Sequence, residues 1–166
     1  MGNLRRKTIG IKTFGNKVDI TDPCYKKDVW CRLNDIEITP GDYTCIAWKS
    51  TETYEYNGKE HKDVRVGNLG IYFNGVIPSQ KSMEVIGEIG VDAGLAGIFN
   101  SKPDLDDDSW RGFCDYIDKG DCWIFNEKDS FGLDGVCSSS GYGDGVYDVY
   151  VAKKDGKITA VEIRFM

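Results

Sequence analysis

From Val146 to Phe165 the chain carries two period-two runs, Val146–Lys153 and Ile158–Phe165, joined by Lys154-Asp155-Gly156-Lys157. Asp-Gly between such runs is a strong hairpin cue, because a type I′ turn needs positive φ at both central residues and Asp and Gly accept it. A lone hairpin is only marginally stable in water, so antiparallel pairing here requires further strands elsewhere. Val161, Ile163 and Phe165 fall on one face of the last run, with Ala160, Glu162 and Arg164 on the other. That alternation predicts a sheet with one solvated side.

The same punctuation recurs upstream. Thr8–Thr13 and Lys17–Thr21 flank Gly15-Asn16, which predicts a type II′ hairpin, and Ile36–Ile38 and Tyr43–Lys49 flank Thr39-Pro40-Gly41-Asp42, which predicts a second. Tyr43–Trp48 is apolar or aromatic on both faces, as an interior strand would be. Tyr54-Glu55-Tyr56-Asn57-Gly58 predicts another reversal, leading into Val64–Phe73. Met83–Val91 reads as a strand, and Asp92–Phe99 as a glycine-punctuated turn into a short apolar piece. One helix is predicted, over Ser109–Ile117, capped by Asp108 or Ser109 and placing Trp110, Phe113, Cys114 and Ile117 on one face. With about nine strands and one helix, the expected fold is mainly β, a β-rich α+β arrangement. An antiparallel sandwich or partly open barrel with one short helix fits it, residues 1–166 forming a single domain.

Charge and cysteine usage narrow the function classes. The formal net charge is −6, yet residues 1–27 hold seven Lys or Arg against two Asp, while residues 101–135 hold ten acids against four bases. An acidic body disfavours non-specific nucleic-acid binding, which relies on basic patches and counterion release. No apolar run reaches the roughly 18 residues of a membrane span, and Met1–Lys7 lacks the apolar core of a secretory signal, so no membrane association and a cytoplasmic location are expected. The six cysteines show no CxxC spacing, and His61 is the single histidine, which disfavours a Cys/His zinc site. A cytoplasmic address makes the thiols buried small hydrophobes rather than disulfides, with Cys24, after Asp22-Pro23, the one placed for reactivity.

Ser138–Tyr150 gathers Gly141, Gly143 and Gly145 around Tyr142 and Asp144 just before a β-rich segment. Glycine there frees the backbone for positive φ, so the turn either presents N–H groups as an anion-binding concavity or reverses a strand tightly. Asp22 and Asp92 also follow strands, at Asp22-Pro23 and Val91-Asp92-Ala93-Gly94. Three convergent carboxylates would hold Ca²⁺ or Mg²⁺, whereas separate ones would each cap their own turn. Asp104, Asp106, Asp108 and Asp115 are spaced like a calcium loop, but Ser109 stands where its glycine belongs and helix capping accounts for Asp108. Ser138–Ser140 do not form a Gly-x-Ser-x-Gly elbow, and His61 is the sole candidate base for a serine triad. Tyr142, between glycines, has no packing obligation to its neighbours in sequence.

Three pieces together, Val18–Tyr25, Ile89–Gly94 and Ser138–Tyr150 with the hairpin after it, resemble an uncharacterised family of bacterial and phage proteins marked by short acidic turns. The resemblance implies no reaction; it points to Asp22, Asp92 and Asp144. The expectation is therefore a non-enzymatic binding or inhibitory protein, phage or mobile-element encoded, with no cofactor. It would hold a small polar, nucleotide-like ligand or a protein partner at a site built from Asp22, Asp92, Tyr142 and Asp144. The alternative is a metal-dependent hydrolase using the three aspartates.

Overall fold

The computed structural model describes residues 4–126 and 131–166. Eleven strands and one α-helix occur among them. The strands are β1 (Arg5–Phe14), β2 (Lys17–Thr21), β3 (Leu33–Glu37), β4 (Gly41–Tyr56), β5 (Lys59–Phe73), β6 (Glu84–Val91), β7 (Leu95–Phe99), β8 (Cys122–Phe125), β9 (Gly135–Ser139), β10 (Gly145–Lys154) and β11 (Lys157–Arg164); the helix is α1 (Asp107–Tyr116). They form two antiparallel sheets, one of six strands in the order β1-β4-β5-β11-β10-β6 and one of five in the order β3-β2-β7-β9-β8. Neither closes into a barrel. The protein is mainly β, as the turn spacing predicts.

The main core lies between the sheets. Cys45, Leu69, Ile71, Val149, Val161 and Ile163 of the six-stranded sheet pack with Val18, Ile20, Ala96, Ile98 and Val136 of the five-stranded one. The far face of the five-stranded sheet is covered by α1, whose Phe113 joins Leu95, Phe99, Phe125, Leu133 and Cys137. Asp106, rather than Asp108 or Ser109, caps α1: its side chain accepts from the Ser109 N–H at 2.7 Å. Cys114 is exposed, so the helix buries a narrower stripe than its sequence suggests.

Two predicted hairpins are corners instead. β1 pairs with β4, and β2 pairs with β3 and β7, so Gly15-Asn16 carries the chain from one sheet to the other. Likewise β3 and β4 lie in different sheets, and Thr39-Pro40 is a crossing, held where the Thr39 N–H donates to the Ile158 carbonyl at 2.9 Å. The physical reason is burial. Phe14 at the first corner and Tyr43 after the second are fully inside and meet edge to face at 5.6 Å, which a local hairpin would not allow both to do.

The predicted wet face of β11 is also covered. Glu162 is buried and accepts from the Tyr72 hydroxyl at 2.5 Å, with Arg164 Nε at 3.1 Å, while Tyr72 accepts from Trp48 Nε1 at 2.7 Å. Ile46, Tyr72, Met83, Ala152 and Ala160 form a small apolar cluster there. The Asp155-Gly156 and Asn57-Gly58 turns are as predicted, with φ of 55° and 79° in the first and 53° and 72° in the second.

Candidate functional site

The three acidic turns meet at one end of the molecule. β6 and β10 pair with Gly145 opposite Val91, which sets the Asp92–Gly94 turn beside Asp144. Asp22, at the end of β2, is fully buried. Its Oδ1 accepts from the Cys24 N–H at 2.8 Å, and its Oδ2 from the N–H groups of Asp92 and Ala93, both at 2.7 Å. Asp144 Oδ1 accepts from the Gly94 N–H at 3.0 Å. Three successive backbone donors thus form an anion-holding concavity, and the chain's own carboxylates fill it. The concavity is built by the Asp92–Gly94 turn, with Gly94 at φ 67°, and the Ser138–Tyr150 run supplies one of the anions. Asp92 contributes its backbone, and its own carboxyl side chain is exposed.

The glycine loop is tied down locally. Gly143 N–H donates to the Ser140 carbonyl, and the Ser140 and Tyr147 hydroxyls both donate to the Gly143 carbonyl, at 2.7 and 2.6 Å. Gly141 and Gly143 have φ of 64° and 106°, as the alternating glycines predict. This geometry sends Tyr142 away from Asp22, onto the ribbon of β4 and β5. Its hydroxyl donates to Glu52 Oε1 at 3.2 Å, which holds it above the usual phenol pKa, and the Arg65 guanidinium lies 4.7 Å from its ring centre. Arg65 also donates to the Gly141 carbonyl at 3.0 Å.

β4 and β5 pair from Tyr43 opposite Phe73 out to Tyr56 opposite Lys59. Their outer neighbours stop earlier, β1 at Lys49 and β11 at Asn68, so residues 50–65 leave the sheet as a bare two-stranded ribbon. Six steps of strand rise carry it about 20 Å outward. Alternation puts Glu52, Tyr54 and Tyr56 on one face, opposite Asp63, His61 and Lys59. Tyr54 stacks on His61 at 5.4 Å and Tyr56 meets it at 6.1 Å. Tyr54, Tyr56 and Tyr142 remain 52, 64 and 59% exposed. The Tyr-x-Tyr pair beside Asn-Gly was the sequence signal for this face: alternating aromatics at a hairpin tip have no core to enter.

Beneath the Asp22 joint, Lys102 Nζ and Arg32 Nη1 both donate to the Tyr25 carbonyl, at 3.0 and 2.9 Å. Asp19 accepts from the backbone N–H groups of Asp35 and Lys102 and lies 3.3 Å from Arg32 Nη2. Burial, with Arg32 nearby, lowers the Lys102 amine to about 8. These groups anchor the 22–32 loop, on whose surface Trp30 is 89% exposed. Burial and the adjacent Asp22 push the Cys24 thiol up to about 12, so its position gives it no reactive thiolate. Among the described residues no group of three or more His, Cys, Asp or Glu side chains is placed to hold a metal. Of the calcium-like series, Asp104 accepts from the Lys27 N–H, Asp106 caps α1 and Asp108 pairs with Arg111. His61 lies between tyrosines on the ribbon, and the Ser138 and Ser140 hydroxyls donate to the backbone carbonyls of Ser139 and Gly143. No helix of the described residues is long and apolar enough to cross a membrane. No protein-family model, curated protein or solved structure gives a significant match to this chain.

Proposed function

We propose that the chain is a non-enzymatic binding protein that presents the Tyr142–Tyr54–Tyr56 face of its ribbon to a protein partner. The observation that carries this reading is the ribbon itself. Residues 50–65 bury almost nothing against the body, yet they hold an ordered aromatic stack that two bare strands would not keep for stability alone. The composition suits a protein interface: Tyr, Arg and His provide large, stiff contact area with a polar tip, and charges of both signs surround them. Shape favours a protein over a small ligand, since a projecting ribbon offers no concavity to enclose one. The free strand edges beyond Lys49 and before Asn68 also expose backbone groups that a partner strand can pair with.

Photocrosslinking tests this. A benzoylphenylalanine placed at Tyr54, Tyr56 or Tyr142, in cells of the native host, is expected to give one discrete protein adduct. The same group at Thr53, on the opposite face, is expected to give none. Absence of an adduct from all three tyrosine positions, or equal labelling from Thr53, would contradict the proposal.

A further inference from the structure

At the opposite end of the six-stranded sheet from the ribbon, a cleft of about 610 Å³ opens beside the β10–β11 turn. Its size falls within the roughly 300–1,000 Å³ typical of small-molecule sites. One wall is the segment after β5, turned by Asn74 and Gly75 at φ of 52° and 73° and pinned where the Val76 N–H donates to the Phe73 carbonyl. That turn sets Phe73, Val76 and Pro78 along the cleft, with Ala152 across from them. Val76 is 71% exposed, an apolar side chain held out with nothing to cover it.

The other wall is basic. Three of the four charged residues lining the cleft are lysines, Lys153, Lys154 and Lys157, against Asp155. Lys153 pairs with Glu84 at 3.0 Å, whereas Lys154 and Lys157 have no acidic partner among the described residues. In a chain of net charge −6 this is a local reversal of sign. Thr39 lines the same cleft, and its buried Oγ1 has no hydrogen-bond partner among the described residues.

We propose that this cleft binds a small amphiphilic anion. Its apolar body lies on Phe73, Val76 and Pro78, and its oxyanion head sits between Lys154 and Lys157, whose ammonium groups act as point charges toward it. The proposal is independent of the ribbon, from which it is separated by the length of the sheet.

The test uses decanoate as the probe, with acetate as the head alone and decyltrimethylammonium as the same chain with reversed charge, followed by amide NMR shifts on the intact protein. Decanoate is expected to shift Val76, Ala152 and Thr159 saturably, and the two controls are not. In Lys154→Gln/Lys157→Gln the affinity is expected to fall at least about tenfold with the spectrum otherwise native, and Val76→Asp is expected to abolish the shifts. No saturable shift at these amides, equal binding of the cationic chain, or unchanged affinity in the lysine variant would overturn the proposal.

Discussion

The ribbon of β4 and β5 is one hairpin living in two environments. Its inner half, Tyr43–Trp48 against Asn68–Phe73, is flanked by β1 and β11 and carries fully buried residues on both faces, Cys45, Ala47, Leu69 and Ile71 on one and Ile46 and Tyr72 on the other. Its outer half, residues 50–65, has the same pairing and a well-formed turn but no neighbour on either edge. Strand pairing alone therefore does not explain why the outer half exists. The inner half is held by burial; the outer half is held by cross-strand contacts worth roughly 0.2–1 kcal/mol each, and is free to serve a partner.

The contrast is sharpest in mutation. Ile71→Ala in the inner half leaves a cavity in the shared core and is expected to cost about 2–5 kcal/mol in denaturant unfolding. A cost below 1 kcal/mol would mean the inner half is not the structural part. Asp22→Asn comes next. One amide group would face the N–H donors of Asp92 and Ala93, and loss of charge-assisted bonds at a buried site is expected to cost about 1.5–3 kcal/mol. Native stability in that variant would show that the joint between β2 and the β6–β7 turn is dispensable.

Alkaline pH separates the halves by another route. Burial pushes the Cys45 thiol up to about 12 from an ordinary 9.0. Above pH 9 the unfolded chain gives up this proton while the folded chain keeps it, so the stabilising effect is complete below pH 9 and is lost as pH rises toward 12. The expected loss near pH 11 is about 3 kcal/mol from this residue. Lys102 acts in the opposite sense between about 8 and 10.5, because its amine is lowered on folding, so the combined effect of these two groups falls most steeply above pH 10.5, and Cys24 and Tyr43, both also raised to about 12, add to the decline. Cys45→Val should flatten the decline; an unaltered pH profile would assign it elsewhere. The smallest effect is expected at the ribbon tip, where Tyr54→Ala should change stability by no more than about 0.5 kcal/mol. A cost of 2 kcal/mol or more would make the aromatic stack part of the fold.

Local cues were readable where the chain pairs with itself nearby. Asp155-Gly156 and Asn57-Gly58 demand positive φ and sit between runs that face each other, so their hairpins follow from sequence. Gly15-Asn16 and Pro40-Gly41 carry similar punctuation but become corners, because the strands on either side of each enter different sheets, β1 pairing with β4 and β2 with β3 and β7. Glu162 looked solvated because Tyr72, which covers it, is 90 residues distant. The outer ribbon gives a weak signal in composition: Thr51, Thr53 and Glu55 make one face polar, and Tyr54 and Tyr56 alone mark the other. At the acidic turns, the sequence left two arrangements of Asp22, Asp92 and Asp144 open, convergence at one site or a separate cap for each turn. That the carboxylates meet backbone N–H groups of residues 92–94 was not legible, because any residue type carries those donors.

Excising the outer half tests the central division most directly. Replacing Thr51–Val64 by Asn-Gly closes a two-residue turn between Ser50 and Arg65, which already face each other. The shortened chain is expected to unfold cooperatively with a Tm within about 3 °C of the parent, since little core surface is removed. A Tm lower by ten degrees or more, or a chain that no longer folds, would place the ribbon among the elements that hold the molecule together and contradict its assignment as a surface held out for binding.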